Sequence, residues 1–244
     1  MIKVDGLSKT FGLIKAVDNV SFKVEKGNIL GFLGPNGAGK STTMKMITGF
    51  LSPGKGTASI SGHDIITDSI SARKRIGYLP ENVPLYDEMQ VIDFLRFIAE
   101  IREVDDIENA IKRVEESCKL TNVMFQIIGT LSKGYRRRVA LAQALIHDPE
   151  VLILDEPTDG LDPNQKHHVR ILIKNLSKNK AIIISTHILE EVRALCDRII
   201  IIDRGKLLVD STPDELMKQE DGSLEKVFRK YTLHEEEAVG GANE

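Results

Sequence analysis

Cysteine is scarce. The chain has 244 residues and two cysteines, Cys118 and Cys196. They lie far apart and lack metal-ligand spacing, which leaves two buried thiols in a reducing compartment and excludes a disulfide scaffold. Long hydrophobic runs are also missing. The apolar stretches AIII (181–184) and RIIIID (198–203) fall well short of the roughly 20 residues that cross a bilayer. The opening MIKVDGLSKT has no long apolar core, so no secretory signal is expected. Any membrane role therefore requires a separate membrane-spanning partner. No charge of one sign dominates: 33 basic against 36 acidic residues give a net charge of −3. A dedicated duplex-binding domain is usually basic overall, so nucleic acid is not an expected partner. There is no internal repeat and no sustained heptad pattern.

The chain does contain a globular composition, 41% hydrophobic and 28% charged, in a length that suits one large domain or a domain with a subdomain. The first third is β-rich, with expected strands at 16–24, 28–34, TASISG and RIGYLP. KSTTMKMITG (40–49) is an expected helix closed by Gly49. From about Asp87 the apolar spacing becomes helical, over 91–101, over 107–120, and from a Ser132 cap to a stop at Pro149. Residues of about 87–147 thus form a helical insert. Beyond it, the apolar strands VLILDEP, AIIISTH, RIIIID and KLLVD are interleaved with helices. One of these starts at an Asp162 cap with Pro163 in its first turn and presents Val169, Leu172, Ile173 and Leu176 on one face. Continuous apolar strands alternating with helices indicate an α/β fold whose parallel sheet is covered on both faces. The acidic tail HEEEAVGGANE (234–244) is expected to be flexible.

GPNGAGKS (34–41) fits G-x-x-x-x-G-K-[S/T] and lies between an apolar strand and a helix, as the phosphate-binding loop requires. Gly34, Pro35, Asn36, Gly37, Ala38 and Gly39 let the backbone wrap a phosphate with its N–H groups inward. The helix that begins with Lys40, Ser41 and Thr42 adds its positive end. Lys40 is suited to the β and γ phosphates, and Ser41 to Mg²⁺. By chance the pattern arises in a chain this long about one per cent of the time. VLILDEP ends a strand with two carboxylates, Asp155 as a Mg²⁺ partner and Glu156 as a base for water attacking the γ-phosphate. His187, just past the next strand, is placed at the same sheet edge, and taken with Glu156 it is a candidate γ-phosphate contact and orienter of the attacking water.

The ordered series GPNGAGKS, GYLPEN, LSKGYRRRVALAQAL, VLILDEP, GLDP and STH, within about Ile2 to Asp210, resembles the ATP-binding cassette (ABC) ATPases. That resemblance implies a P-loop NTPase with a RecA-like parallel-sheet core, an N-terminal antiparallel β subdomain and an inserted α-helical subdomain, the ATP-binding domain spanning 1–233. It implies ATP and Mg²⁺ as ligands. It also implies a head-to-tail dimer with a second copy or a homologous subunit, each ATP held between the phosphate loop of one chain and the LSKGY loop of the other. Ser132, Lys133 and Gly134 match that signature loop, with Lys133 where the family has glycine and Tyr135 where it has glutamine. Phe11 matches the aromatic that stacks on adenine, the other reading being a core residue of an N-terminal strand. Asp162 matches the loop that links the two sites. Glu81 stands where the family usually has a Mg²⁺-reaching glutamine, and with LSKGY it points to an export-type subset. In the basic run, consecutive helical residues point about 100° apart, so Arg136, Arg137 and Arg138 cannot serve one surface; Arg136 is expected to be solvated.

The function implied is an ATP-hydrolysing subunit, peripheral on the cytoplasmic side of the cell membrane. It powers export by an integral membrane permease. Asn82–Tyr86 (NVPLY) either lines the docking groove or is a turn packed on its own domain. The alternative function, a non-transport cassette ATPase acting on ribosomes or DNA, usually comes with two cassettes in one chain or with long coiled-coil insertions.

Overall fold

A computed structural model describes residues 1–220 and 222–232; the tail expected to be flexible, 234–244, lies outside the described residues. The chain begins with an antiparallel sheet of β1 (Ile2–Phe11), β2 (Ile14–Val24), β4 (Lys55–Ile60) and β5 (His63–Asp64), in the order β2-β1-β4-β5. Against it lies a larger sheet in the order β10-β9-β3-β8-β7-β6. Its strands are β3 (Ile29–Leu33), β6 (Ile76–Leu79), β7 (Val151–Asp155), β8 (Ala181–Thr186), β9 (Arg198–Asp203) and β10 (Lys206–Ser211). Strands β9, β3, β8, β7 and β6 pair in parallel, and β10 is an antiparallel edge.

The central strands read as unbroken apolar runs because both of their faces are dry. Side chains alternate across a strand, so each strand feeds two cores. Leu30, Phe32, Ile153, Ile183 and Ile200 pack toward the antiparallel sheet and helix α1 (Lys40–Ile47), among Val20, Phe22 and Met44. The Phe22 and Phe32 rings meet at 5.6 Å between the two sheets. The alternate residues Leu33, Leu152, Leu154, Ile182 and Ile199 face the opposite core, which is built largely by helices.

Those helices are α3 (Val91–Ile101), α4 (Ile107–Cys118), α5 (Lys133–Leu145), α6 (Pro163–Ser177), α7 (Leu189–Leu195), α8 (Pro213–Gln219) and α9 (Leu224–Thr232). Helices α3 to α5 fall between β6 and β7, where the helical insert is expected. Helix α5 ends at Leu145, earlier than the Pro149 stop suggests. Elements beyond those expected from the sequence include β1, α2 and α8. β1 pairs with register shifts between Val4 and Leu7, so its alternation is broken. The short α2 (Ser69–Lys74) buries Ala72 alone among its residues. α8 is set by a local device, a capping box between Thr212 and Glu215 with Pro213 in the first turn.

Candidate functional site

The loop from Gly34 to Gly39 leaves the carboxyl end of β3, buried in the sheet, and enters α1. Gly39 has φ 104°, and a Cβ there would lie 2.4 Å from the Ala16 carbonyl oxygen, so the turn into α1 needs glycine. Ala38 donates its N–H to Pro35 O at 3.2 Å and receives the Gly205 N–H on its own carbonyl at 2.9 Å, tying the loop to the β9–β10 turn. The Lys40 ammonium is buried and folds over the loop, donating to Gly34 O at 2.7 Å and Pro35 O at 3.0 Å. Burial lowers its pKa; the nearby Glu156, Asp155 and Glu81 carboxylates act against that shift.

A cavity of about 360 Å³ opens over this loop. Asn36, Gly37, Gly39, Lys40, Ser41 and Thr42 form one side, and Glu81, Asp155, Glu156 and His187 reach it from other elements. The parallel register pairs Asp155 of β7 with Ser185 of β8, so both strands end at the same edge. Asp155 is 1% exposed and accepts a hydrogen bond from the Ser185 hydroxyl. Glu156 follows in a left-handed backbone conformation with φ 50°, uncommon outside glycine, and donates its N–H to Ser185 O at 3.0 Å. Its carboxylate meets His187 Nδ1 at 2.8 Å. Burial raises the Glu156 pKa, and the His187 contact opposes that rise.

Phe11, at the end of β1, is 49% exposed, with Lys9 Nζ 5.7 Å from its ring center, so it is not a core residue. It lies at the hairpin into β2, whose Ala16 lines the cavity. Ser132, Lys133 and Gly134 do not line that cavity; they begin α5. The Ser132 hydroxyl caps this helix, accepting from Tyr135 N at 3.4 Å. A Cβ on Gly134 would collide with the Gln165 amide. Lys133 lines a second cavity of about 300 Å³, shared with Glu81, Asp159, Arg136 and Arg137. Asp162 caps α6, accepting from Gln165 N at 2.9 Å.

The three arginines part company as helical phase requires. Arg138 lies over the Tyr135 ring at 5.4 Å. Arg136, expected to be solvated, instead pairs with Asp87 at 2.7 Å and is partly buried. Arg137 is 8% exposed and turns into the protein, toward the backbone of residues 80–81 and 155–157. Of NVPLY, Val83 and Leu85 are partly buried against the helical core. Tyr86 is 53% exposed and rests edge-on against Phe94 and Phe97 at 5.9 and 5.8 Å.

Residues 17–159 match the family described as ABC transporter, more than half of the chain. The chain belongs to the ABC transporter family. A probable multidrug ABC transporter ATP-binding protein of Escherichia coli (strain K12), YbhF, is 37% identical over 237 residues, which cover 93% of this chain and 41% of the relative. This chain therefore spans less than half the length of that relative. A Nod factor export ATP-binding protein I of Burkholderia lata is 37% identical over 219 residues, 88% of this chain and 72% of the relative. A solved structure of the ATP binding subunit of an ABC transporter superposes with a TM-score of 0.87 at 28% identity, over 95% of this chain and 99% of that one. The fold is that of a P-loop NTPase, with an antiparallel β subdomain beside the parallel-sheet core.

Within this ABC cassette, sequence reasoning passed over Ser185, Asp159 and the inward role of Arg137. Ser185 was within reach, since it directly precedes the Thr-His pair of STH. Asp159 lies in the loop between Glu156 and Asp162. Arg137 carried no signal, because three identical residues in a row conceal which one faces inward. Among the described residues, no group of three or more His, Cys, Asp or Glu side chains is gathered to hold a metal ion. Mg²⁺ does not need one, being bound through one or two carboxylates together with substrate phosphates and water. Asp155, Glu81 and Ser41 around one cavity fit that mode.

Proposed function

We propose that this chain binds ATP with Mg²⁺, hydrolyses it, and so powers export through a separate membrane-spanning permease. The observation that carries this reading is the Glu156–His187 pair, 2.8 Å apart, facing the same cavity as Lys40 and Asp155. The phosphate loop, Gly34 to Thr42, wraps the phosphates with backbone N–H groups, and Lys40 leaves its two carbonyl partners for the β and γ phosphates. Asp155, Ser41 and Glu81 hold Mg²⁺, which when bound offsets the phosphate charge. Glu156 accepts a proton from the attacking water while His187 orients its carboxylate. Phe11 supplies an exposed ring for adenine.

The loop at Ser132, Lys133 and Gly134 is a capped helix start, suited to an anion, yet it lies outside its own chain's phosphate cavity. This supports a head-to-tail dimer, with a second copy or a homologous subunit, in which it meets the partner's γ-phosphate and Asp162 lies between the two sites. Among the described residues no helix is long and apolar enough to cross a membrane. The chain is therefore proposed to act peripherally, on the cytoplasmic face, through its permease. The exposed Tyr86 beside Phe97 offers an apolar contact for that partner. Relatives named for multidrug transport and Nod factor export support the export direction. The cassette is taken as residues 1–233, with the helical insert at about 87–147.

The decisive experiment compares wild type with Glu156→Gln. The variant is expected to bind MgATP, to lose turnover by about 100-fold or more, and to shift from monomer to dimer by light scattering when ATP is added. Near-normal hydrolysis sinks the role of Glu156, and a persistent monomer sinks the shared site.

A further inference from the structure

Arg137 donates every guanidinium N–H to a backbone carbonyl. Nη1 reaches Pro80 O at 3.0 Å and Glu81 O at 2.8 Å, Nη2 reaches Asp155 O and Glu156 O, and Nε makes a long contact of 3.5 Å with Pro157 O. An arginine side chain carries five such donors in a planar fork, and here none of these bonds goes to a carboxylate. The carbonyls belong to two segments that run off the sheet, residues 80–81 just past β6 and residues 155–157 from the last residue of β7 onward, where the Glu156 carbonyl also accepts the Asp159 N–H at 3.2 Å. The arginine itself comes from a third element, α5.

We infer that Arg137 is a positioning residue for Glu156. From the far side of the catalytic loop it clamps the backbone of residues 155–157 to that of residues 80–81 and holds the turn from which the Glu156 carboxylate meets His187. The turn requires holding. Glu156 is a non-glycine residue at φ 50°, a conformation that persists where the surroundings over-determine it. Its N–H is fixed by Ser185 O and its own carbonyl by Arg137. Arg137 lines the second cavity and not the phosphate cavity, so it acts through backbone and touches no reacting atom. The cost of burying its charge is offset by Asp155, Asp159, Glu156 and Glu81 nearby. The same clamp includes the carbonyl of Glu81, so it ties together the helix that begins at the signature loop, the Glu81 segment and the turn that carries the catalytic carboxylate.

This inference rests on the ATPase reading, and the two fail differently. The full-length chain is assayed as wild type, Arg137→Ala and Arg137→Lys. With Arg137→Ala, kcat is expected to fall about 100-fold, the cost of a roughly 1 Å misplacement, with KM for MgATP changed less than about 3-fold. Lysine, a point charge with three donors, is expected to restore little. Millimolar guanidinium chloride is expected to recover about 10-fold of the loss in Arg137→Ala, without accelerating wild type or Glu156→Gln. A kcat within about 3-fold of wild type overturns the inference. So does a loss that guanidinium does not relieve and that comes with a lower unfolding midpoint, which assigns Arg137 to folding alone. An inactive wild type overturns the ATPase reading itself, and the inference with it.

Discussion

Glu156 combines three properties that rarely occur together in an acidic residue: a left-handed backbone, burial, and a carboxyl whose pKa burial raises. Each alone destabilises, and together they fall on the residue proposed as the base. His147 is perturbed for a different reason, with no functional contact. Burial, aided by the Arg102 charge, lowers its pKa to about 4, while Nε2 donates to Ile76 O at 3.0 Å. The folded pKa lies below the ordinary 6.5, so between pH 4 and 6.5 the unfolded chain binds more protons and stability rises with pH. Above pH 6.5 the contribution is complete, and it is lost as pH falls toward 4. Its ceiling is about 3 kcal/mol, from 1.36 kcal/mol per unit. His147→Gln keeps a donor for Ile76 O and removes the titration. Urea unfolding across this range should show a flatter pH dependence than wild type, and parallel curves would refute the assignment.

At the scale of the element, the site is built from element ends. β3, β7 and β8 deliver the phosphate loop, Asp155 with Glu156, and His187 to one edge, because parallel strands place their carboxyl ends together. The helices contribute their starts: α5 and α6 are both capped by side-chain oxygens, from Ser132 and Asp162. The turn into α1 has little tolerance. Gly39→Ala forces a methyl group against Ala16 O, which is backbone and cannot rotate away. It should weaken MgATP binding by about 10-fold or more, by displacing N–H groups that face the phosphate. Gly37 also has a positive φ, 80°, but open space around it. Gly37→Ala therefore carries conformational strain of about 1–2 kcal/mol without the collision. Equal effects of the two substitutions on nucleotide titrations would show that the Ala16 contact is irrelevant.

At the scale of the molecule, one sheet separates two cores, and the functional loops emerge where both cores end. The proposed shared site has a direct test in mixing. Lys40→Ala disables a phosphate loop and Gly134→Asp a signature loop, so each protein alone has two defective sites. A mixed dimer contains one site made of two intact halves. An equimolar mixture is expected to regain up to about a quarter of wild-type ATPase, since half the dimers are mixed and each has one good site. A mixture no more active than its components would mean that each chain works alone.

Much of this protein is legible without its structure, for a physical reason. A phosphate loop is contiguous, so its spacing and its strand-to-helix context are local facts. The apolar strands and the caps at Ser132 and Asp162 are equally local. The ordered series of short motifs carried the family. Other features depended on how the chain returns to itself. Glu156 and His187 are 31 residues apart and meet through the β7–β8 register. The half-exposed ring of Phe11 and the Asp87 partner of Arg136 are set by neighbouring segments that no spacing reveals. By itself the sequence determined which chemical groups are present and the order in which they occur. The tertiary structure decided which of three adjacent arginines faces inward, because helical phase acquires meaning when there is a core on one side.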